Sequence, residues 1–299
     1  MTIEKAHDVG PSHITIAYER LGDREAPPVL LVMGLGAQLV GWPDGFCDEL
    51  ITRGLHVIRF DNRDVGESTH MHDAPPPNFM AAMAGDFSSV SYSLSNMAAD
   101  TVGLLDALGL DSVHLVGASM GGFIAQTVAI EYPRRVRSLT SIMSTTGDRT
   151  VGQPHPEAMA LFGAGTPTTR EQAIERAHIA ARTIGSPGFP PDPDALAARA
   201  GRAFDRAFDP PGMIRQAVAV LASGDRTPRL RELAVPTLVV HGDRDKMCDV
   251  TGGRATAAAI AGAELLVIEG MGHDLPRAVW PQLAARIGET VQRGERRRA

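Results

Sequence analysis

Three residues of this 299-residue chain have the type and setting needed for nucleophilic catalysis: Ser119, Asp245 and His273. Ser119 lies in Gly117-Ala118-Ser119-Met120-Gly121-Gly122, directly after the apolar run at 112–116 and before a helix-like stretch. Gly-x-Ser-x-Gly between a strand and a helix predicts a very tight turn that lifts the serine hydroxyl out of the sheet. The positive end of the following helix lies beneath it. A serine hydroxyl alone is a poor nucleophile, so the reading requires a base and a carboxylate to orient that base.

His273 supplies the base. It follows the strand at 264–268 and the glycines of Gly270-Met271-Gly272, in a loop able to swing an imidazole over the strand ends. The other histidines are weaker claimants. His114 lies inside a buried strand, His56 begins one, and His241 precedes the acid loop. His7, His13, His70, His72, His155 and His178 read as surface or loop positions. For the acid, Asp243, Asp245 and Asp249 all qualify by chemistry. Asp245 is far enough beyond the strand at 237–240 to face the same sheet edge, whereas Asp243 reads as a turn stabiliser. In this order, serine then aspartate then histidine, His273 would take the serine proton and later deliver it to the leaving group. Asp245 would fix the tautomer and stabilise the imidazolium.

An oxyanion formed in such a reaction needs preorganised donors, each worth about 3–4 kcal/mol of transition-state stabilisation. The N–H of Met120, next to the nucleophile, is one. The N–H of Leu35 in Met33-Gly34-Leu35-Gly36 is the other, because glycines on both sides allow close approach of the backbone. Met33, Trp42 and Met143 are the candidate substrate-binding residues, since two lie at strand ends on the same edge and Trp42 follows the oxyanion loop. Methionine adapts to varied apolar shapes. Each of the three also fits plain core packing, and Trp42 equally suits an anchor at a helix start.

These groups need a frame. Short apolar runs at 29–33, 56–60, 113–116, 139–143, 237–240 and 264–268 lack polar alternation, as expected of parallel strands buried on both faces. Helical patterns at 43–53, 95–108, 121–131, 253–261 and 279–292 separate them, with Ser95 as the expected N-cap of the second. The alternating segment 14–20 predicts an antiparallel edge strand. Strand–helix alternation implies right-handed crossovers and a doubly wound, mostly parallel sheet, an α/β fold.

The alternation stops at 146–230, which is helix-like and rich in Ala and Arg, with Thr168 to Glu171 spaced as a capping box and Asp194 as a further cap. It resumes at Pro236. The expected organisation is therefore a discontinuous core, 1–145 and 231–299, with an inserted helical cap at 146–230. Ile174, Ile179, Ile184, Phe204, Phe208 and Met213 are apolar positions by which that cap could close over a pocket, and the irregular segment 71–90 could border its entrance.

Composition narrows the partners. A net charge of −6 argues against a nucleic-acid binder. Apolar runs are far short of a membrane span, and the first residues lack the layout of a secretory signal, so a cytoplasmic location is the default. Cys47 and Cys248 make no disulfide framework. No ligand cluster of suitable spacing and no phosphate-binding glycine loop appears, so neither a metal nor an organic cofactor is expected.

Nearly the whole chain resembles the α/β-hydrolase-fold serine hydrolases with an inserted cap. The resemblance rests on Met33-Gly34-Leu35-Gly36, Asp61-Asn62-Arg63-Asp64-Val65-Gly66-Glu67-Ser68, Gly117 to Gly122, His241-Gly242-Asp243-Arg244-Asp245 and Gly270-Met271-Gly272-His273. With Gly41-Trp42-Pro43 added, it is most similar to the aclacinomycin methylesterase-like carboxylesterases. The resemblance implies an α/β-hydrolase fold and hydrolysis of a small-molecule carboxylic ester, apolar or bulky, through an acyl-enzyme. The same triad also serves lactone, thioester, carbon–carbon and perhydrolytic cleavage, and some ligand-binding receptors keep the fold. Two positions depart from the common pattern: Met33, where many members have histidine, and Asp64, where glycine is usual.

Overall fold

A computed structural model describes residues 2–163 and 166–298. The strands are β1 (Glu4–Val9), β2 (Ile14–Leu21), β3 (Pro28–Val32), β4 (His56–Phe60), β5 (Val113–Ala118), β6 (Val136–Ile142), β7 (Thr237–Gly242) and β8 (Glu264–Ile268). They form one sheet in the order β1-β2-β4-β3-β5-β6-β7-β8. β1 and β2 pair antiparallel with their neighbours, and every pairing from β4 to β8 is parallel. The α-helices that precede β6 in the chain are α1 (Asp44–Ile51), α2 (Phe79–Met83), α3 (Leu94–Ala107) and α4 (Met120–Glu131).

Between β6 and β7 lies the inserted helical region: α5 (Pro156–Gly163), α6 (Arg170–Ile184), α7 (Pro193–Arg206) and α8 (Pro210–Ala222), followed by the short α9 (Thr227–Leu230). α10 (Val250–Ala259) and α11 (Trp280–Arg296) complete the chain.

The apolar runs sort by strand periodicity into two cores. Leu30, Val32, Val113 and Leu115 face one side, packed with Leu104, Leu105, Ile124 and Val128 of α3 and α4. Val29, Leu31, Val116 and Ala118 face the other, packed with Phe46, Leu50, Leu283 and Ile287 of α1 and α11. Each fully buried Leu or Ile contributes about 1.5–3 kcal/mol, so the central strands are fixed from both faces. That rigidity is what the site needs.

The structure corrects the expectations at the periphery. The segment 14–20 is not the edge, because β1 lies outside it. In β1 only Ala6 and Val9 are buried, so it has no apolar run to betray it. β8 is the other edge, with Leu265 and Val267 partly exposed, and it is not buried on both faces. α3 is capped by Ser93, not Ser95: the Ser93 hydroxyl accepts the Asn96 N–H while the Asn96 side chain accepts the Ser93 N–H. Thr169 rather than Thr168 caps α6, and Asp192 rather than Asp194 caps α7, which begins at Pro193. No helix among the described residues is long and apolar enough to cross a membrane.

Candidate active site

Ser119 occupies the turn between β5 and α4 at φ 55° and ψ −122°, the left-handed side that a serine adopts only under constraint. The constraint comes from close packing of backbone on backbone. A Cβ at Gly117 would stand 2.1 Å from the Gly121 carbonyl oxygen, and one at Gly121 would stand 2.0 Å from that of Val32. The Ser119 N–H donates to the Ile142 carbonyl at 2.9 Å, tying the turn to β6.

The three sequence-predicted residues come together. The Ser119 hydroxyl lies 3.0 Å from His273 Nε2, and His273 Nδ1 lies 2.7 Å from Asp245 Oδ2. The ionised carboxylate can only accept, so Nδ1 carries the hydrogen and Nε2 is left to accept from the serine. Asp245 is buried in the turn after β7, and its other oxygen accepts the N–H groups of Met247 at 2.9 Å and Cys248 at 2.8 Å. Asp243 does not reach the histidine; its carboxylate accepts the Gly270 N–H at 2.7 Å and fastens the two loops together. Asp249 caps α10.

His241, fully buried beside Asp245, donates from Nε2 to the Cys248 carbonyl at 2.7 Å. Burial pushes its pKa below the ordinary value, which disfavours the charged ring beside Asp245. Burial likewise raises the Cys47 thiol to about 12 and holds that of Cys248 well above its usual range.

The loop bearing Leu35 lies against the nucleophile, for a Cβ at Gly34 would be 3.1 Å from Ser119 Cβ. Met120 is the first residue of α4, and the N–H there has no acceptor within its own helix. Met33 and Met143 are buried at the ends of β3 and β6, Met143 with a φ of 44°. Trp42 is fully buried and stacks on Phe46 with ring centroids 5.7 Å apart, the position of an anchor at the start of α1. Of the apolar residues expected to close over a pocket, Ile179 and Phe208 are exposed. Met213 instead packs on the loop bearing Leu35, where a Cβ at Gly36 would meet its side chain at 2.7 Å.

Sequence reasoning missed the residues that tie these loops to the inserted region. Gln216 is buried in α8; it accepts the Gly36 N–H at 2.8 Å and donates to the Arg63 carbonyl at 2.7 Å. Its neighbour Arg215 forms a two-pronged pair with Asp64 at 2.9 and 2.7 Å. Burial alone would raise the Asp64 carboxyl, but Arg215, the Met71 N–H and the Tyr92 hydroxyl together hold it below the usual carboxylate range.

On the histidine side, the His273 N–H donates to the Ile184 carbonyl at 2.7 Å, and the Gly272 N–H donates to the Ser186 hydroxyl at 2.8 Å. Ser186 in turn donates to Asp274. Burial lifts the Asp274 carboxyl above its ordinary range, with the Ser186 bond opposing. One signal for this set was visible in the sequence, namely Asp64 where glycine is usual: its φ is +69°, which glycine would meet freely, and its carboxylate anchors α8. Gln216 and Ser186 meet partners far away in the chain, and local pattern carries no trace of that.

The fold and site have clear relatives. The profile of the alpha/beta hydrolase fold family matches residues 27–187. The rhodomycin D methylesterase DnrP of Streptomyces peucetius is 30% identical, over 92% of this chain and 94% of that protein. The rhodomycin D methylesterase DauP of Streptomyces sp. strain C5 has the same identity over the same shares. The esterase EaEST from Exiguobacterium antarcticum superposes with a TM-score of 0.73 at 22% identity, covering 95% of this chain and 97% of that one, a likeness of fold. The chain belongs to the alpha/beta hydrolase fold family and is similar to the aclacinomycin methylesterase-like group.

Proposed function

We propose that the protein is a serine carboxylesterase acting on small esters with an apolar or bulky acid part. The observation that carries this is the unbroken chain Ser119–His273–Asp245, with the serine held at positive φ on the strand–helix turn. His273 Nε2 takes the hydroxyl proton as Ser119 Oγ attacks the ester carbonyl carbon. The N–H groups of Leu35 and Met120 receive the charge that develops on the carbonyl oxygen. As the tetrahedral intermediate collapses, the carbon–oxygen bond to the alcohol breaks and the imidazolium returns the proton to that alcohol. Water, deprotonated by the same imidazole, then releases the acid and restores Ser119.

In this reading Met33 and Met143 border the acyl site, and residues 146–230 form a cap over the core built from 1–145 and 231–299. Similarity to two methylesterases supports a methyl ester as the scissile group. No metal or organic cofactor enters the reaction.

The test is active-site labelling by a fluorophosphonate, followed by a panel of methyl and p-nitrophenyl esters of increasing acyl bulk. Stoichiometric labelling of Ser119 and turnover that favours bulky acyl groups are expected. A folded wild type that fails to label would sink the enzyme reading. Labelling accompanied by turnover of lactones or thioesters alone would move the reaction class while keeping the triad.

A further inference from the structure

We propose that His70, His72 and Asp209 form a binding site for a first-row divalent transition cation, with Zn²⁺ the best fit. The two histidines stand two residues apart in the irregular loop that follows β4, His72 at a turn, and Asp209 directly precedes α8 in the inserted region. His70 Nδ1 lies 2.8 Å and His72 Nε2 lies 3.4 Å from Asp209 Oδ2. One donor atom from each of the three falls within 4.8 Å of the others, the one such group of His, Cys, Asp and Glu among the described residues. Donor atoms on a tetrahedral Zn²⁺ with bonds of about 2.0–2.1 Å are roughly 3.3–3.4 Å apart. Asp209 Oδ2 stands 2.8 Å from one imidazole nitrogen and 3.4 Å from the other, so the first pair opens by about half an ångström to admit the ion. His72 is 72% exposed, against 16% for His70 and 13% for Asp209, which leaves solvent a path to a fourth position.

The far side of the His70 ring is ordered as it is in a metal site. His70 Nε2 lies 2.9 Å from the Gly66 carbonyl oxygen, which can only accept, so Nε2 carries the ring hydrogen. Nδ1 faces Asp209 Oδ2 at 2.8 Å, so a proton or a metal cation stands between them. A ligand histidine that donates its far N–H to a backbone carbonyl is also the usual second layer of a metal site. Two imidazoles and one carboxylate favour Zn²⁺, Cu²⁺, Ni²⁺ or Co²⁺ over Mg²⁺ and Ca²⁺, which take all-oxygen shells. Arg215 Nη2 also reaches Asp209 Oδ2, at 3.3 Å, but its two short bonds go to Asp64 and leave the carboxylate free for a further partner.

No hydrogen bond of the triad involves these three residues. The bound ion therefore acts as a staple between the core and the helix that carries Arg215 and Gln216.

The full chain, stripped with EDTA and dialysed, would be titrated with ZnCl₂ by calorimetry and followed by thermal melting. CoCl₂ serves as a spectroscopic probe, because visible bands of tetrahedral intensity report nitrogen and oxygen ligation. One Zn²⁺ per chain, a Tm that climbs with its concentration, and no response to Mg²⁺ are expected. His72→Ala, at an exposed position that tolerates truncation, should weaken binding by about tenfold or more and remove the cobalt bands. Asp209→Asn should do the same, and His178→Ala should change nothing. Absence of Zn²⁺ binding by the wild type, leaving only a second proton on His70, would overturn the proposal. So would equal binding by wild type, His72→Ala and Asp209→Asn.

Discussion

Ser119 and His273 touch, yet they are held by different means. The serine turn is fixed by the sheet: β5 is buried throughout, the Gly117–Gly121 contact leaves no room for a side chain, and the backbone bond to Ile142 closes it. The loops bearing His273 and Leu35 take polar bonds from the inserted region as well, beside the core's own bond from Gly270 to Asp243. Ile184 and Ser186 hold the first, and Gln216 holds the second. A backbone packed at van der Waals contact has nowhere to go. A loop held by single hydrogen bonds, each with a net worth of about 0.5–1.5 kcal/mol, can be released. The Ser119 turn is thus held within the core alone, while the loops bearing His273 and Leu35 also take support from the inserted helices.

Substitutions separate the two kinds of support, and the largest effect belongs to the chemistry itself. Ser119→Ala or His273→Ala should lower kcat on the ester panel by about 10⁶-fold, with circular dichroism and Tm nearly unchanged, since the sheet does not depend on either side chain. Asp245→Asn leaves the geometry but favours the wrong tautomer, and should cost about 10⁴-fold in kcat. If Asp243→Asn were the damaging change instead, the acid would be misassigned.

The next effect tests the docking. Arg215→Met leaves the buried Asp64 without its counter-charge and should lower unfolding stability by about 3–5 kcal/mol in denaturant titration. An equal loss from a surface pair such as Arg182 and Glu175 would deny any special role to the α8 anchor. Gln216→Leu should move the oxyanion loop with little unfolding and lower kcat by about 10²-fold at nearly constant KM. A rise in KM alone would instead make Gln216 a substrate contact.

The smallest effect is a pH dependence. Asp64 titrates below the ordinary carboxylate range when folded, so its contribution is present in full above the unfolded pKa of about 3.9 and is lost as pH falls through the folded value. The Tm difference between wild type and Asp64→Asn should therefore hold from neutral pH to about 4 and shrink below it. A difference that persists at lower pH would show that packing, not ionisation, anchors α8.

Much of this was legible in the chain. The central strands announce themselves as apolar runs because parallel strands are buried on both faces. The edges do not: β1 buries two side chains, and β8 exposes every second one. The caps of α3, α6 and α7 were displaced by one or two residues because several Ser, Thr and Asp positions near each helix start can accept the same backbone N–H. The order serine, aspartate, histidine was readable because each follows a recognisable strand and a glycine-containing turn.

The amino-acid sequence by itself determined the central parallel strands, the Ser119 turn and the identity of the three residues that meet there, since local periodicity and turn chemistry specify all of them. Only the tertiary structure decided what holds the loops of His273 and Leu35, why an aspartate occupies a left-handed position at residue 64, and that two histidines meet an aspartate 139 residues on from the first of them. Those contacts join segments that are remote in the chain, and no local pattern encodes a pairing that exists only after both partners have been folded onto the same sheet.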